Sequence, residues 1–395
     1  MPKIYVQHET PLQRSFRVDQ VCGVFDVPLS ERHQLDLSVH VPPLQGPGSD
    51  WQIGAIIGPS ASGKSSVASQ AYGERFIEAL DWPEQASILD GFPRNLPNKL
   101  ITATLAAVGF SSPPQWVLPY RCLSTGQKFR ANLARALLLD PADGAPVAVD
   151  EFGGTVTQQV AEFAAASVAR AVRNKRTRVN RFVAVGARDE FVDWLEPDWV
   201  LDMSECRLAR GWVRRERNAR WAAQYFRGRP KIELDIHQVR GSSKLRLWSV
   251  FKHHHYLSAQ LHPSCRMFIA CYEGKPIALC ATLTNAGFTG YRVIHRLVVM
   301  PDYQGLGIGL KLLDEVAGFD AATCRRVSII TSHPALIRSL EHRATWQLLS
   351  VTKHQAKAHA GAKRGKLGPT SRNLAGSAGR AVCSFMFVGH NCHGR

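Results

Sequence analysis

Gly58-Pro59-Ser60-Ala61-Ser62-Gly63-Lys64-Ser65 is the stretch on which the reading of the first half turns, because it meets the spacing G-x-x-x-x-G-K-[ST]. It follows the apolar run 51–57, which reads as a short strand, and the residues after Lys64 read as a helix. In that setting the glycines let backbone N–H groups curl round phosphate oxygens, and the helix N-terminus adds a field that favours an anion. Gly58, Ser62 and Gly63 form the cradle. Lys64 is positioned to reach β- and γ-phosphates, the Ser65 hydroxyl to bind Mg2+, and Ser66 to close the first helical turn. A chance match in an unrelated loop is the alternative, and the flanking strand and helix argue against it.

Outward from this loop, residues 15–42 alternate apolar and polar in short runs with proline breaks, which predicts a small antiparallel sheet, and residues 45–50 form a turn cluster. Residues 124–140 predict a helix, 147–149 a buried strand, 157–174 an Ala-rich helix and 182–185 a further strand. Strands alternating with helices predict a parallel α/β sheet.

Asp150-Glu151 follows the predicted strand Val147-Ala148-Val149. An acid there can give a phosphate-binding loop its second Mg2+ contact, which assigns Asp150 to the metal and Glu151 to polarising the attacking water. A helix cap is the plainer reading of the same pair. Between the two motifs lies Leu123-Ser124-Thr125-Gly126-Gln127, ahead of a helix. Three motifs in this order resemble the ABC-type ATPases over residues 15–205. The resemblance implies a P-loop ABC-type domain that binds ATP and Mg2+. It also implies an ATP-dependent head-to-tail homodimer, in which Ser124, Gly126 and Gln127 of one subunit close on the nucleotide of the other. The chain departs from the family in three places. Gly186-Ala187-Arg188-Asp189 replaces a switch histidine, leaving Arg188 or nothing in that role. The loop after Glu151 reads Phe152-Gly153-Gly154-Thr155. Only Gln85 and Asp90 are candidates for a Mg2+-sensing position. These departures favour slow hydrolysis or an ATP-gated clamp over a pump.

The second half turns on a different glycine cluster. Residues 293–299 predict a strand that leads through Gln304-Gly305-Leu306-Gly307-Ile308-Gly309 into a helix over 310–317. Such a turn lets backbone N–H groups approach a pyrophosphate at a helix start. The spacing [RQ]-x-x-G-x-[GA] at Gln304, Gly307 and Gly309 resembles the acetyl-CoA signature of the GNAT acetyltransferases. The strand 267–273 and the hairpin that follows also fit that family's order, over about residues 230–350. A dinucleotide-binding G-x-G-x-x-G is the competitor, but Leu310 and Leu312 break its spacing. A plain strand–turn–helix is the third reading. The resemblance implies acetyl-CoA or another acyl-CoA held by Val299, Gln304, Gly305, Gly307, Ile308 and Gly309. Many members carry a tyrosine acid on the helix after residues 326–330; here Ser339 and Leu340 stand in that region. The run His253-His254-His255-Tyr256 is therefore the candidate source of base and acid: His254 and His255 as bases, Tyr256 as acid. A histidine-rich face packed on the core is the alternative. A metal site is disfavoured because successive side chains point to different faces. His295 reads as a core or substrate-facing residue rather than a base.

Charge supplies the partner. The chain of 395 residues carries a net +17, and two stretches hold all of it: residues 205–260 with 13 basic and 4 acidic side chains, and 351–395 with 8 basic and none acidic. Segregated positive charge predicts a polyanion, DNA or RNA, as partner; solubility charge on a hinge and a tail is the bland reading. The region from 207 to 229 predicts a connecting helix or linker, residues 354–380 a loose arm and 381–389 a last strand. No apolar run is long enough for a membrane span, the first residues lack a signal-peptide core, and nine scattered cysteines fit a reducing compartment, so a cytoplasmic protein is expected. Residues 240–350 also bear a looser resemblance to the Mom-type proteins of phages, which implies modification of a DNA base. The combined expectation is an α/β chain with an ABC-type domain at 1–205, a basic linker at 206–230 and a GNAT-like domain with a mixed sheet and a basic arm at 231–395. It is expected to be an acyltransferase that modifies a nucleic-acid base amine, with the ATPase as a nucleotide-gated clamp. Its rivals are a protein or small-molecule N-acetyltransferase and a non-catalytic nucleic-acid clamp.

Overall fold

The computed structural model describes residues 2–11, 13–25, 32–139, 145–210, 231–255, 260–284, 290–324, 326–353 and 381–389. The chain divides into two compact units: Met1–Ser111 with Gln115–Lys231, and Ile232–Arg395 with Ser112–Pro114. From the N-terminus it runs β1 (Lys3–Pro11), α1 (Phe16–Phe25), β2 (Arg32–His40), β3 (Ile53–Ile57), α2 (Lys64–Tyr72), β4 (Phe76–Ile77), α3 (Asn98–Ala107), α4 (Pro113–Trp116), α5 (Thr125–Ala136), β5 (Val147–Val149), α6 (Gln158–Arg173), β6 (Phe182–Gly186), α7 (Val192–Leu195), β7 (Trp199–Asp202) and β8 (Arg207–Arg210).

In the first unit, six strands lie in the order β4-β5-β6-β3-β7-β8. The first five are mutually parallel and β8 is antiparallel. β3, β5, β6 and β7 are buried along their whole length, as strands covered on both faces must be. The Asp198 carboxylate accepts from the backbone N–H of Gln52 at 2.8 Å and Ile53 at 2.9 Å and pairs with Arg173 at 3.0 Å, which pins the start of β3. One face packs Trp51, Ile56, Val67 and Trp199 with Val6 and Val39 of the β1–β2 ribbon. Burying each of the larger side chains stabilises the fold by roughly 2–3 kcal/mol. The Ala-rich α6 buries most of its residues.

Three expectations need correction here. Residues 15–42 are not all sheet, because Phe16–Phe25 is a helix and β2 pairs with β1, outside the range expected. Val18, Val21 and Phe25 recur at helical, not alternating, spacing. The first sheet also runs past residue 205, because Arg207–Arg210 pairs with β7 and is neither linker nor helix. The rest of the expected linker, 211–230, and the arm, 354–380, lie outside the described residues.

The second unit continues with β9 (Asp235–Val239), α8 (Ser243–Phe251), β10 (Arg266–Tyr272), β11 (Lys275–Thr284), β12 (Tyr291–Val299), α9 (Ile308–Ala321), β13 (Arg326–Thr331), α10 (Pro334–Glu341), β14 (Trp346–Lys353) and β15 (Ala381–Phe387). Its seven strands are ordered β14-β15-β13-β12-β11-β10-β9. All pairs are antiparallel except β12 with β13, so the sheet is mixed. Trp248 and Phe251 of α8 pack on Met267, Leu279, Ala281 and Val298. Asp320 of α9, fully buried, pairs with Arg266 of β10 at 2.7 Å and lies 3.7 Å from Arg292 of β12.

Candidate functional sites

In the first unit, β3 runs directly into the loop 58–63 and the loop into α2. Gly63 caps α2 at φ 82°, in the left-handed region, with no side-chain cap bond. A residue with a Cβ is strained there, and the first N–H groups of α2 keep no side-chain acceptor. A Cβ on Gly58 would come within 2.9 Å of the Met203 side chain and 3.1 Å of Ser62 Oγ. Lys64 is buried, and its Nζ donates to the Pro59 carbonyl at 2.6 Å across the loop. Burial lowers its pKa, against the opposing pull of Asp150. Ser62 Oγ is buried without a hydrogen-bond partner, as a ligand-facing hydroxyl is before its ligand arrives.

Parallel β5 brings the acids to the same end of the sheet. Ser65 Oγ donates to Asp150 Oδ2 at 2.7 Å, joining residues 85 positions apart. Glu151, exposed, has φ 47°, and its N–H donates to Asp150 Oδ1 at 2.9 Å. A hydroxyl and a carboxylate oxygen in contact are a donor set suited to Mg2+. The signature residues are occupied locally: Ser124 Oγ accepts from Gln127 N at 3.3 Å and Gln127 Oε1 accepts from Ser124 N at 3.1 Å, a capping box at the start of α5, with Gly126 in its first turn. Gln85 accepts from Arg121 at 3.2 Å, and Asp90 from Ser87 at 2.5 Å. Arg188 lines a small cleft with Glu190, Phe191 and the loop Phe152-Gly153.

In the second unit, the parallel register of β12 with β13 covers only 291–294 against 326–329. β12 continues to Val299 and β13 to Thr331, so the sheet forks between them. At the mouth of the fork the chain turns through residues 301–307. Gln304 Nε2 donates back to the Val299 carbonyl at 2.9 Å, so its side chain braces the turn. Gly307 repeats the device of Gly63: it caps α9 at φ 84° with no side-chain cap bond, leaving the helix N-terminus to an anion. Ile308 is buried, and a Cβ on Gly309 would stand 2.9 Å from Val299 Cγ2.

β12 also carries one imidazole, that of His295. The pairing with β11 shifts between Ala281 and Thr282, whose partners are Arg296 and Ile294, leaving His295 as an extra residue in a bulge. Such a bulge re-aims side chains. His255, after α8, packs 6.1 Å from the Trp248 ring, and burial with Arg296 and His295 nearby lowers its pKa to about 4. His254 is also lowered, by burial and His253 against the pull of Asp302. His295 is lowered by burial, then Arg296 and His262. The structure thus brings His255 close to His295, while His254 faces His253 and Asp302. Tyr256 lies outside the described residues. The helix expected to carry a tyrosine acid offers none near its start: Ser339 donates to Ala335 O at 2.8 Å and Leu340 is buried. Among the described residues no three His, Cys, Asp or Glu side chains gather as a metal set, and no helix is long and apolar enough to cross a membrane.

Residues 233–341 match the family model of the acetyltransferase (GNAT) family, so this unit carries a GNAT acetyltransferase domain. No curated protein matches the chain. Among solved structures, the ribosomal-protein-S18-alanine N-acetyltransferase of Escherichia coli is 14% identical, with 41% of this chain and 99% of that chain covered and a TM-score of 0.29. A GNAT family acetyltransferase from Elizabethkingia anophelis, with acetyl-CoA bound, is 13% identical over 40% of this chain and 99% of its own, at a TM-score of 0.26. A metal-chelate type ABC transporter in an inward-facing conformation is 14% identical over 53% of this chain and 87% of its own, at 0.34. Sequence reasoning set His295 aside as a core or substrate-facing residue. Its signal is a histidine beside Arg296 in the strand ahead of the glycine turn, but the bulge that turns it depends on pairing with β11.

Proposed function

We propose that the chain is an N-acyltransferase that takes acetyl from acetyl-CoA to an amine of a nucleic acid, gated by a nucleotide-binding domain. The observation that carries the acyltransferase reading is the fork between β12 and β13, which opens beside the uncapped N-terminus of α9. An extended chain can enter the fork and bond to the free edge of β12, while the first N–H groups of α9 meet a pyrophosphate. Acetyl-CoA supplies the acyl group as a thioester. A histidine is the proposed base for the proton that the acceptor amine loses, with His255 close to His295; Tyr256 is the acid proposed to return one to the sulfur.

The nucleic-acid reading rests on the placement of charge: the two stretches that hold the whole +17 flank or belong to the second unit. Two features support ATP and Mg2+ in the first unit, namely the contact of Ser65 with Asp150 and the unpartnered Ser62 hydroxyl. Lys64 would meet the β- and γ-phosphates, Ser65 and Asp150 the metal, and Glu151 a water. Its left-handed backbone is an observed strain of the kind that collects at working sites. Ser124, Gly126 and Gln127 sit at an exposed helix start, where the partner's nucleotide would dock in a head-to-tail dimer. The deciding experiment incubates purified protein with acetyl-CoA, ATP, Mg2+ and either mixed-sequence single-stranded DNA or RNA, followed by nucleoside mass spectrometry. An acetylated nucleoside is expected. Acetylation of a co-incubated lysine peptide with none on nucleic acid would transfer the function to a protein acetyltransferase.

A further inference from the structure

Resting on the acyltransferase reading, we infer that His295 at the bulge of β12 is the base that receives the acceptor's proton, relayed through one bound water, and that the acceptor is an uncharged, weakly basic amine. His295 is the residue that breaks the pairing of β12 with β11, one position beyond the last residue of β12 paired to β13. It therefore sits at the root of the fork, where a thioester carbonyl held in the slot would end. Its Nε2 is buried and has no hydrogen-bond partner, while Nδ1 lies 3.4 Å from Arg296 Nη1. A buried, unpaired ring nitrogen is normally satisfied by ordered water or a ligand group, and a base acting through one water stays within reach of its substrate.

The surroundings choose the acceptor. On its own strand His295 faces Arg296; from the loop ahead of β10 it faces His262, and from the segment after α8 it faces His255. Cys265, at the end of that loop, is felt by Arg296 in turn, whereas Ala281 and Thr282 of β11 and Ile329 of β13 carry no charge. The fixed charge among them is the Arg296 guanidinium, whose Nη1 lies 3.4 Å from His295 Nδ1 and donates to the His295 carbonyl at 2.8 Å, and it disfavours a second cation at this point. An alkylammonium such as a lysine side chain would enter against that field, whereas an exocyclic nucleobase amine enters neutral. In the reaction the amine nitrogen bonds to the acetyl carbon and the carbon–sulfur bond breaks. The amine proton passes through the water to His295 Nε2 and on to solvent, while the CoA thiolate takes a proton from the proposed acid and becomes the thiol.

The test compares wild type with His295→Gln and His295→Ala, using acetyl-CoA with mixed-sequence single-stranded DNA, and acetyl-CoA hydrolysis as a second readout. Binding of acetyl-CoA by calorimetry reports folding. In His295→Gln, kcat is expected to fall by about 10²- to 10⁴-fold with the KM for acetyl-CoA changed less than about twofold. The acid limb of the wild-type pH–rate profile, where His295 gains its proton, should vanish. Added imidazole should restore part of the rate of His295→Ala. A His295→Gln enzyme with undiminished kcat, or one whose rate and acetyl-CoA affinity fall together, overturns the assignment. Transfer to a lysine peptide faster than to DNA overturns the acceptor class. A wild type that binds acetyl-CoA yet neither transfers nor hydrolyses it overturns the acyltransferase reading itself.

Discussion

Lys64 is the side chain on which the proposed nucleotide site most depends. Its side chain is mostly buried and its ammonium engages one carbonyl of its own loop, and desolvation lowers its pKa. Phosphate oxygens would replace that single bond with charge-assisted ones worth about 1.5–3 kcal/mol. Lys64→Ala should therefore weaken ATP binding by about 10- to 150-fold in calorimetry while the protein stays folded. His255 makes the opposite trade, because folding holds it neutral. Its pKa falls from the ordinary 6.5 to about 4, so the unfolded chain binds more protons anywhere between these values. Stability is then full above about pH 6.5 and declines as the pH drops towards 4. Urea unfolding at pH 7 and pH 4.5 should differ by on the order of 1–3 kcal/mol from this residue, and His255→Gln should reduce that difference.

At the scale of elements, the two sites use one device twice: a strand end, a left-handed glycine and a helix whose first N–H groups have no side-chain cap. Gly307→Ala adds a Cβ at φ 84° and should destabilise the domain by about 1–2 kcal/mol. Because the same change shifts the donors of α9, the KM for acetyl-CoA should rise more than tenfold while ATP binding by the first unit is unaltered. Thermal melts and steady-state kinetics check the two halves of this expectation. The capping box of Ser124 and Gln127 is a different arrangement: α5 satisfies its own N-terminus with side chains.

For the whole molecule the decisive quantity is charge. If the basic stretches neutralise about six phosphates, affinity for DNA should fall by about 10³-fold between 50 and 200 mM salt, and changing Lys363, Arg364 and Lys366 to Gln, which leaves β15 in place, should flatten the slope. Fluorescence anisotropy against salt measures both. A slope near zero would refute the nucleic-acid partner while leaving both ligand turns untouched.

Much of this architecture was legible in the residues themselves, because short-range constraints wrote it there. A cradle needs glycines at set spacing beside a strand and a helix. A strand buried on both faces needs a continuous apolar run, and a helix against a sheet needs small residues such as those of α6. Hence β3, α2, β5, α6, β6, β12 and α9 could be placed from local pattern alone. What tertiary structure decided were features that depend on partners distant in the chain. Asp150 reaches Ser65 only because β5 lies parallel, two strands from β3. Arg207–Arg210 becomes a strand only by pairing with β7, since its own sequence reads as a charged connector. The fork exists because β12 and β13 part after four pairs, and His295 turns at a bulge that β11 imposes. Local propensity carries no record of register, so neither the fork nor the histidine at its root could be read before the sheet was assembled.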